Sequence, residues 1–358
     1  MSPDRGGSAV TAAGAAAATD VAAEHRDRKA EHIELSLEQG MQLRASFFDE
    51  YVFDHQALPE IDYDDIDLET EFLGRALEAP LLISCMTGGT GEATRINRNL
   101  AEAAQRAGIA VGVGSQRKAL EDPVQAESFK IRPLAPSVPL LANLGAVQLN
   151  YGFGIDQCRA AVEMIDADAL VFHLNPLQEA IQPEGQCDFS GLVEKMGAIG
   201  RELDVPLVVK EIGCGLSVEA AKGIREAGIS IVDSAGLGGT SWARIEASRA
   251  SDVELGELFA DWGVSTPRSI QALRSVGGLT IIGSGGVRSG LDAAKAIAMG
   301  ADMVGLAQPF LVAAVDSADR VVEAARRVER ELRIAMFCLG VRSIAELQRV
   351  ELLKRTER

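Results

Sequence analysis

"IIGSGGVRSGLDAAKAIAMGADMVGLAQPF", residues 281–310, contains two short apolar runs joined by a segment of helical spacing. The first run ends in Gly285-Gly286 and the second in Ala307-Gln308-Pro309, while "SGLDAAKAIAMGA" between them sets Leu, Ala and Ile at helical intervals and has Gly where a helix would stop. Strands apolar on both faces and joined through a helix are the unit of a parallel sheet covered by helices.

Outward from this stretch the same unit recurs. Upstream lie "PLLISCM" (80–86), "IAVGVGS" (109–115), "PLLANLG" (139–145), "ALVFHLN" (169–175), "PLVVKEIG" (206–213), "ISIVDSAG" (229–236) and "LTIIGSGG" (279–286), and "DMVGLAQP" (302–309) closes the series. Eight strand and helix units match a closed (β/α)8 TIM barrel better than an open Rossmann-like sheet, which would carry GxGxxG after its first strand. Residues 240–266, "TSWARIEASRASDVELGELFADWGVST", are too long for a plain loop and are expected to form a lid or subunit contact inserted after strand six. Residues 316–338 read as a closing helix. The organisation expected is an Ala-rich disordered tail over 1–24, an N-terminal arm over 25–79, and a barrel with its C-terminal helices over 80–358.

Composition narrows the function. The chain has 358 residues, 47% hydrophobic, enough for a large core. Its 35 basic and 52 acidic residues give −17, which argues against nucleic acid and anionic membranes as partners. The tail "MSPDRGGSAVTAAGAAAATDVAAE" makes a poor signal peptide, since Asp4 sits in the would-be positive region, and no run reaches the length of a membrane-spanning helix. Five widely spaced cysteines without a CxxC pair favour neither disulfides nor zinc, so a cytoplasmic location is the simplest reading.

In a TIM barrel the strand C-termini converge on one mouth. That gathers Met86, Thr87, Gly88 and Gly89; Ser115, Gln116 and Arg117; Asn143; His173 and Asn175; Lys210 and Glu211; Ser234 to Gly239; Gly283 to Gly286; and Ala307. Gly285 and Gly286 let backbone N–H groups approach a phosphate, and the helix from about Ser289 is expected to aim its positive end there. "GLGGTSW" (236–242) adds Thr240. Lys210 could face the ligand or pair with Glu211, and alternation could instead turn Glu211 inward. With Thr87, Ser115 and Asn143 these groups suit a flavin mononucleotide. Cys85, Cys187 and Cys214 carry no adjacent base and read as packing residues.

Taken together, "RKAEHIELSL", "MTGGT", "VGSQR", "LANLGA", "HLNPLQEAIQPEG", "VVKEIGCGLS", "GLGGTSW" and "GSGGVRSGLDAAKAIAMGADMVGLAQPFL" resemble the type 2 isopentenyl-diphosphate isomerase family from Arg28 to about residue 350. The resemblance implies interconversion of isopentenyl and dimethylallyl diphosphates, dependent on FMN and Mg2+, with the flavin reduced by NADPH and no net redox change. It implies FMN contacts from Met86, Thr87, Gly88, Gly89, Ser115, Asn143, Lys210 and Thr240, with Gly285, Gly286, Leu306 and Ala307 near its phosphate. Arg28, Lys29, Ser115, Gln116, Arg117 and Gln178 would bind the diphosphate substrate, His173, Asn175 and Gln178 would serve catalysis, and Glu179 would hold the metal; the oxygen preference of Mg2+ independently suggests help from Glu246. The resemblance also implies a homo-tetramer or homo-octamer.

Chemistry supports these roles. Arg28, Lys29 and Arg117 could clamp a diphosphate through charge-assisted hydrogen bonds, and Mg2+ takes one or two carboxylates plus phosphate oxygens. Gln178 has no useful acid or base pKa and reads as an orienting or relay group. Gln182 and Glu184 fall in a second tier. Ala30, Ala235 and Gln186 depart from the family pattern, where an acid, a hydroxyl and an Asp are common, and they bear on affinity. The rivals are an FMN-dependent dehydrogenase or oxidase on the same barrel, and a flavin- or phosphate-binding sensor without turnover.

Overall fold

The computed structural model describes residues 28–43, 46–86, 88 and 91–355, without the side chains of Arg28, Lys29, Ala30 and Pro123. The tail expected over 1–24 lies outside the described residues.

Eight parallel strands close a barrel: β1 (Leu81–Ile83), β2 (Ala110–Gly112), β3 (Leu140–Gly145), β4 (Ala169–His173), β5 (Leu207–Lys210), β6 (Ile231–Asp233), β7 (Thr280–Ser284) and β8 (Met303–Leu306). Neighbours in sequence are neighbours in space, and β8 returns to β1 with Val304 opposite Leu81. Each strand falls within one of the eight apolar runs. Inside the barrel Leu82, Ala110, Leu141, Ala169, Val171, Val208, Ile231, Ile282 and Met303 form one cluster. Alternate residues such as Leu81, Leu140, Leu170, Val209, Ile281 and Val304 face outward into a larger core. Apolar faces on both sides leave the strands no solvated surface, which is why the runs read as continuous rather than alternating.

Helices cover the outside. They are α1 (Arg28–Leu37) in the arm, then α2 (Gly91–Ala107), α3 (Arg117–Glu121), α4 (Ile155–Ile165), α5 (Pro176–Ile181), α6 (Leu192–Glu202), α7 (Val218–Glu226), α8 (Trp242–Arg249), α9 (Val253–Leu258), α10 (Thr266–Val276), α11 (Gly290–Ala298), α12 (Gln308–Asp316), α13 (Ala318–Leu339) and α14 (Ile344–Leu347). The 240–266 stretch is the pair α8 and α9, and the closing helix is α13. Ser217, Ser241, Asp252, Ser289, Ser317 and Ser343 cap α7, α8, α9, α11, α13 and α14 through their side chains.

The segment before β1 works at both ends of the barrel. A hairpin of Thr70–Phe72 and Arg75–Leu77 inserts Phe72 and Leu77 into the interior cluster and so plugs the N-terminal end. Arg75 and Arg132 both bond Asp168 at the foot of β4, and Asp168 also accepts the Leu140 N–H at 2.8 Å. Further up the chain, Gln42 bridges Thr240 and the Leu43 N–H donates to the Gly239 carbonyl, which docks the arm on the opposite, C-terminal mouth. No helix among the described residues is long and apolar enough to cross a membrane.

Candidate active site

The period-two alternation that fills the barrel with apolar side chains continues upward and changes chemistry. Two residues beyond the interior apolar positions come Ser84, Asn143, His173, Lys210, Asp233, Ser284 and Gly305. All but Asp233 line a cavity of about 520 Å3 at the mouth, within the usual ~300–1,000 Å3 of small-molecule sites. The same alternation settles the choice at the end of β5. Lys210 faces the cavity and its Nζ donates to the Glu211 carbonyl oxygen at 2.5 Å, whereas the Glu211 carboxylate points away and accepts from the backbone N–H groups of Ile212, Gly213 and Cys214. Leu306 is turned outward for the same reason, opposite Ile83. It is Gly305 and Ala307 on either side that reach the wall.

The cavity brings together Met86, Gly88, Ser115, Arg117, Asn143, His173, Asn175, Gln178, Glu179, Lys210, Thr240, Gly285, Gly286 and Ala307. Gln116 is not among them. It precedes α3 with its side chain folded back into the wall, where Nε2 donates to Ala161 O at 2.8 Å and Oε1 accepts from Asn143 N at 2.9 Å. One end of the amide is spent on β3 and the other on α4, so substrate contact through this side chain is not what the structure gives. Thr87 and Gly89 lie outside the described residues, as do the Arg28 and Lys29 side chains.

His173 Nδ1 lies 2.8 Å from Asn143 Oδ1, a carbonyl acceptor, which places the ring proton on Nδ1. Burial, then the neighbouring Lys210 cation, lower its pKa to about 3, so the imidazole is neutral. Burial likewise raises the Cys85 thiol to about 11 and Cys214 to about 12, consistent with packing rather than nucleophilic roles.

The glycine turns serve close approach as well as any ligand. Gly285 has φ +104°, and a Cβ there would collide with the backbone of Gly236 and stand 2.6 Å from Thr266 Oγ1; one on Gly286 would collide with Gly238. The loops after β6 and β7 therefore touch backbone to backbone. Arg288 spans the junction, donating to Gly238 O at 2.9 Å and Leu43 O at 2.7 Å, and lines the cavity. The start of α11 is not available to a phosphate as expected. Ser289 Oγ accepts from Asp292 N and Glu331 Oε2 from Gly290 N, and neither Ser289 nor Gly290 reaches the cavity. The start of α12, through Ala307, Gln308 and Pro309, does border it.

On the opposite wall α5 carries an amide and carboxylate network. Asn175 Nδ2 donates to Gln178 Oε1 at 3.0 Å and Glu179 Oε1 at 2.9 Å. Glu179 Oε2 accepts from Gln182 Nε2 and from Gln186 N. Gln186 Oε1 in turn accepts from Arg117 Nη1 at 3.1 Å and Gln148 Nε2 at 2.9 Å, so an amide oxygen serves this position. Gln178 Nε2 donates to Glu246 Oε1 at 2.6 Å. Glu246 is fully buried and its other oxygen accepts from Arg249 Nη1 at 2.5 Å, while His32 Nε2 lies 3.0 Å from Oε1. Glu246 does not itself line the cavity that Glu179 borders, so it is not placed to help a metal held there. Despite burial, the adjacent His32 ring and bonds from Gln178 and Arg249 hold its pKa at about 2.

Residues 28–134 and 184–354 match the model of the FMN-dependent dehydrogenase family. An isopentenyl-diphosphate delta-isomerase from Nostoc sp. is 47% identical over 345 residues, covering 95% of this chain and 99% of its own length. Another from Paracoccus zeaxanthinifaciens is 52% identical over 312 residues, covering 85% and 89%. The chain belongs to the isopentenyl-diphosphate delta-isomerase family. Among solved structures, a mandelate oxidase mutant with benzaldehyde superimposes with TM-score 0.66 at 20% identity, over 94% of this chain and 98% of that one, a likeness of fold.

Within this isomerase-family chain, several wall residues escaped the reading of strand ends. His32, Ile33, Ser36 and Gln42 come from the arm, and Trp242, Arg249 and Arg288 from loops and α8. The spacing of His32, Ile33 and Ser36 at i, i+1 and i+4 puts them on one face of α1 and could have flagged the helix as a cavity wall. Nothing local marks Arg249, whose partners lie up to 218 residues away.

Proposed function

We propose that the chain interconverts isopentenyl and dimethylallyl diphosphates with FMN in its reduced form. The curated relatives' names support the reaction. The observation that carries it in this molecule is one cavity that joins the glycine turns of β6–β8 to the His173, Asn175, Gln178 and Glu179 wall.

The residues fit FMN. The turns at Gly285 and Gly286 admit no side chain, Arg288 and the start of α12 line the same cavity, and Ser84 Oγ there is buried without a hydrogen-bond partner among the described residues. Met86, Gly88, Ser115, Asn143, Lys210 and Thr240 would hold the ring side, and Gly285, Gly286 and Ala307 the phosphate. When bound and reduced, the flavin supplies an electron-rich face and a protonatable nitrogen beside the alkene. The chain's own residues bind, orient and exclude water. Arg117 and the arm's Arg28 and Lys29 would take the diphosphate. Glu179 would hold Mg2+, and Asn175 Oδ1, buried and without a hydrogen-bond partner among the described residues, could add a ligand. Among the described residues no cluster of three ligating side chains exists, so phosphate oxygens would complete the metal's shell. His173 enters neutral, its Nδ1 proton held by Asn143, and Gln178 orients between Asn175 and Glu246.

NADPH would serve as reductant, and a reducing, cytoplasmic setting fits free Cys85, Cys158, Cys187, Cys214 and Cys338. A homo-tetramer or homo-octamer fits exposed Val253, Leu258 and Trp262 on the segment inserted after β6. The test is anaerobic incubation of the purified protein with isopentenyl diphosphate, FMN, Mg2+ and NADPH. Dimethylallyl diphosphate forming only when the flavin is reduced is expected. No product, or oxygen consumption with a 2-hydroxy acid instead, would overturn the reading.

A further inference from the structure

We propose that Arg249 is a positioning residue: its guanidinium registers the arm, the loop after β4 and α8 against one another and, through Glu246, fixes the side-chain amide of Gln178. Each of its three nitrogens meets a different carboxylate. Nε lies 3.1 Å from Glu31 of α1, Nη2 3.2 Å from Glu184 and Nη1 2.5 Å from Glu246. The planar fork spreads its donors over three nitrogens in fixed directions, and a lysine ammonium, whose three donors all leave one atom at the end of a flexible stem, does not reproduce that spread.

The consequence for Gln178 follows from donor and acceptor counting. An ionised carboxylate only accepts, so Glu246 Oε1 requires the Nε2 end of Gln178, and Gln178 Oε1 is then left to accept from Asn175 Nδ2. Reversing the amide would set two acceptors against each other at Glu246 and two donors against each other at Asn175. The orientation thus depends on Glu246 staying ionised, and a fully buried carboxylate stays ionised only beside charge or strong donors. Arg249 is the partner whose charge is fixed at every working pH, whereas His32 is charged only when protonated. Glu31 and Glu184 are half exposed, at 47% and 41%, so those two pairs add little stability. What they do is register: without the guanidinium three carboxylates from three segments would face one another, and the arm would draw back from the cavity it walls.

The proposal rests on the isomerase reading for the meaning of turnover, and the experiment separates the two. Arg249→Gln and Arg249→Lys are made in the full flavin-loaded protein, with flavin content and thermal midpoint as folding controls. On the oxidised protein, which does not turn over, inorganic pyrophosphate affinity is measured by calorimetry. With reduced flavin, kcat and KM for isopentenyl diphosphate are measured alone and in a Gln178→Ala background. Expected are a roughly tenfold lower kcat and severalfold weaker pyrophosphate binding in both variants, with the loss in kcat shrinking to under about threefold once Gln178 is gone, because effects that run through one residue do not add. Unchanged pyrophosphate affinity in both variants overturns the registering role whether or not the protein isomerises. A full tenfold loss from Arg249→Gln in the Gln178→Ala background, or a kcat within twofold of wild type, overturns the link to Gln178. Wild-type protein that forms no dimethylallyl diphosphate sinks the isomerase reading alone.

Discussion

Replacing Gly285 with alanine tests whether the turn after β7 is built for backbone contact. The native φ of +104° lies where an L side chain is strained, a cost of about 1–3 kcal/mol. The added Cβ would also collide with the Gly236 backbone and sit 2.6 Å from Thr266 Oγ1, the hydroxyl that donates to Gly285 O. Backbone on one side and a buried threonine on the other leave little room to yield, so overpacking adds about 1–3 kcal/mol. The sum, roughly 2–6 kcal/mol, divided by about 2.1 cal/mol/K per residue for a chain of this length, corresponds to a thermal midpoint lowered by about 3–8 °C. Flavin affinity should fall at least about tenfold, because relieving the collision pushes the loops after β6 and β7 apart. Gly277→Ala supplies the control: φ is +71° but a Cβ there meets nothing within 4 Å, so only backbone strain is added, far from the mouth. Scanning fluorimetry and flavin fluorescence titration read both quantities. If Gly285→Ala melts and binds flavin like Gly277→Ala, the close-approach argument fails.

Other perturbations probe separate parts of the molecule. At Asp168 burial raises the carboxyl pKa, but the Leu140 N–H, Arg132 and Arg75 outweigh it and leave it lowered, so its stabilisation is present above the ordinary carboxylate range and lost as pH falls through the lowered value. Asp168→Asn should therefore cost roughly 2–4 kcal/mol near neutral pH, with the gap to wild type in chemical denaturation closing in strong acid. His173, with its pKa near 3, should stay neutral from pH 5 to 8 in NMR of ring-labelled protein. Since the unfolded ring protonates near 6.5, it should cost stability as pH falls from there towards 3, and a ring titrating near 6.5 in the folded protein would contradict its placement. Gln186→Ala removes the acceptor shared by Arg117 and Gln148 and should raise KM for the diphosphate severalfold with a smaller change in kcat; Gln186→Glu, which restores an acceptor but sets a carboxylate on Arg117, should leave KM raised.

How much was legible depended on the range of the interactions. Every barrel strand lay inside an apolar run, because a strand buried on both faces announces itself locally. Strand alternation, applied one step further, would also have found Asp233, in register with Lys210 and bonded by Ser284 Oγ at 2.5 Å, and would have turned Leu306 outward in advance. Gln116 defeated position-based reading because a residue at a strand end still chooses between mouth and wall, and its amide found two backbone partners in the wall. The start of α11 looked free for phosphate from its glycines and serine, since Glu331, which takes the Gly290 N–H, lies in a different helix. The arm's contribution was hidden for the same reason: Gln42 meets Thr240 across 198 residues, and no local pattern records it.

A chain of net charge −17 that takes anions must defeat its own field, and the way it does so is visible in what each cation is bonded to. At 0.15 M salt the field of distant surface carboxylates is screened beyond about 8 Å, so only neighbours matter. Arg249 is surrounded by three carboxylates and offers no net positive charge to a ligand. Arg288 and Lys210 are bonded by carbonyl oxygens instead, which fix the geometry; Arg288 keeps its charge uncancelled, while Lys210 shares part of its own with the buried Asp233 and Glu211 carboxylates. Arg117 is intermediate, with exposed Glu121 on one edge and the neutral Gln186 oxygen on the other. A cation near 4 Å from an anion gains about 4 kcal/mol at an effective dielectric near 20, and that gain survives only where no carboxylate has already claimed it. Held by amides and carbonyls, cations remain available to phosphates; held by carboxylates, Arg249 becomes scaffold. The division of labour among the basic residues of this cavity is set by their partners, not by their number.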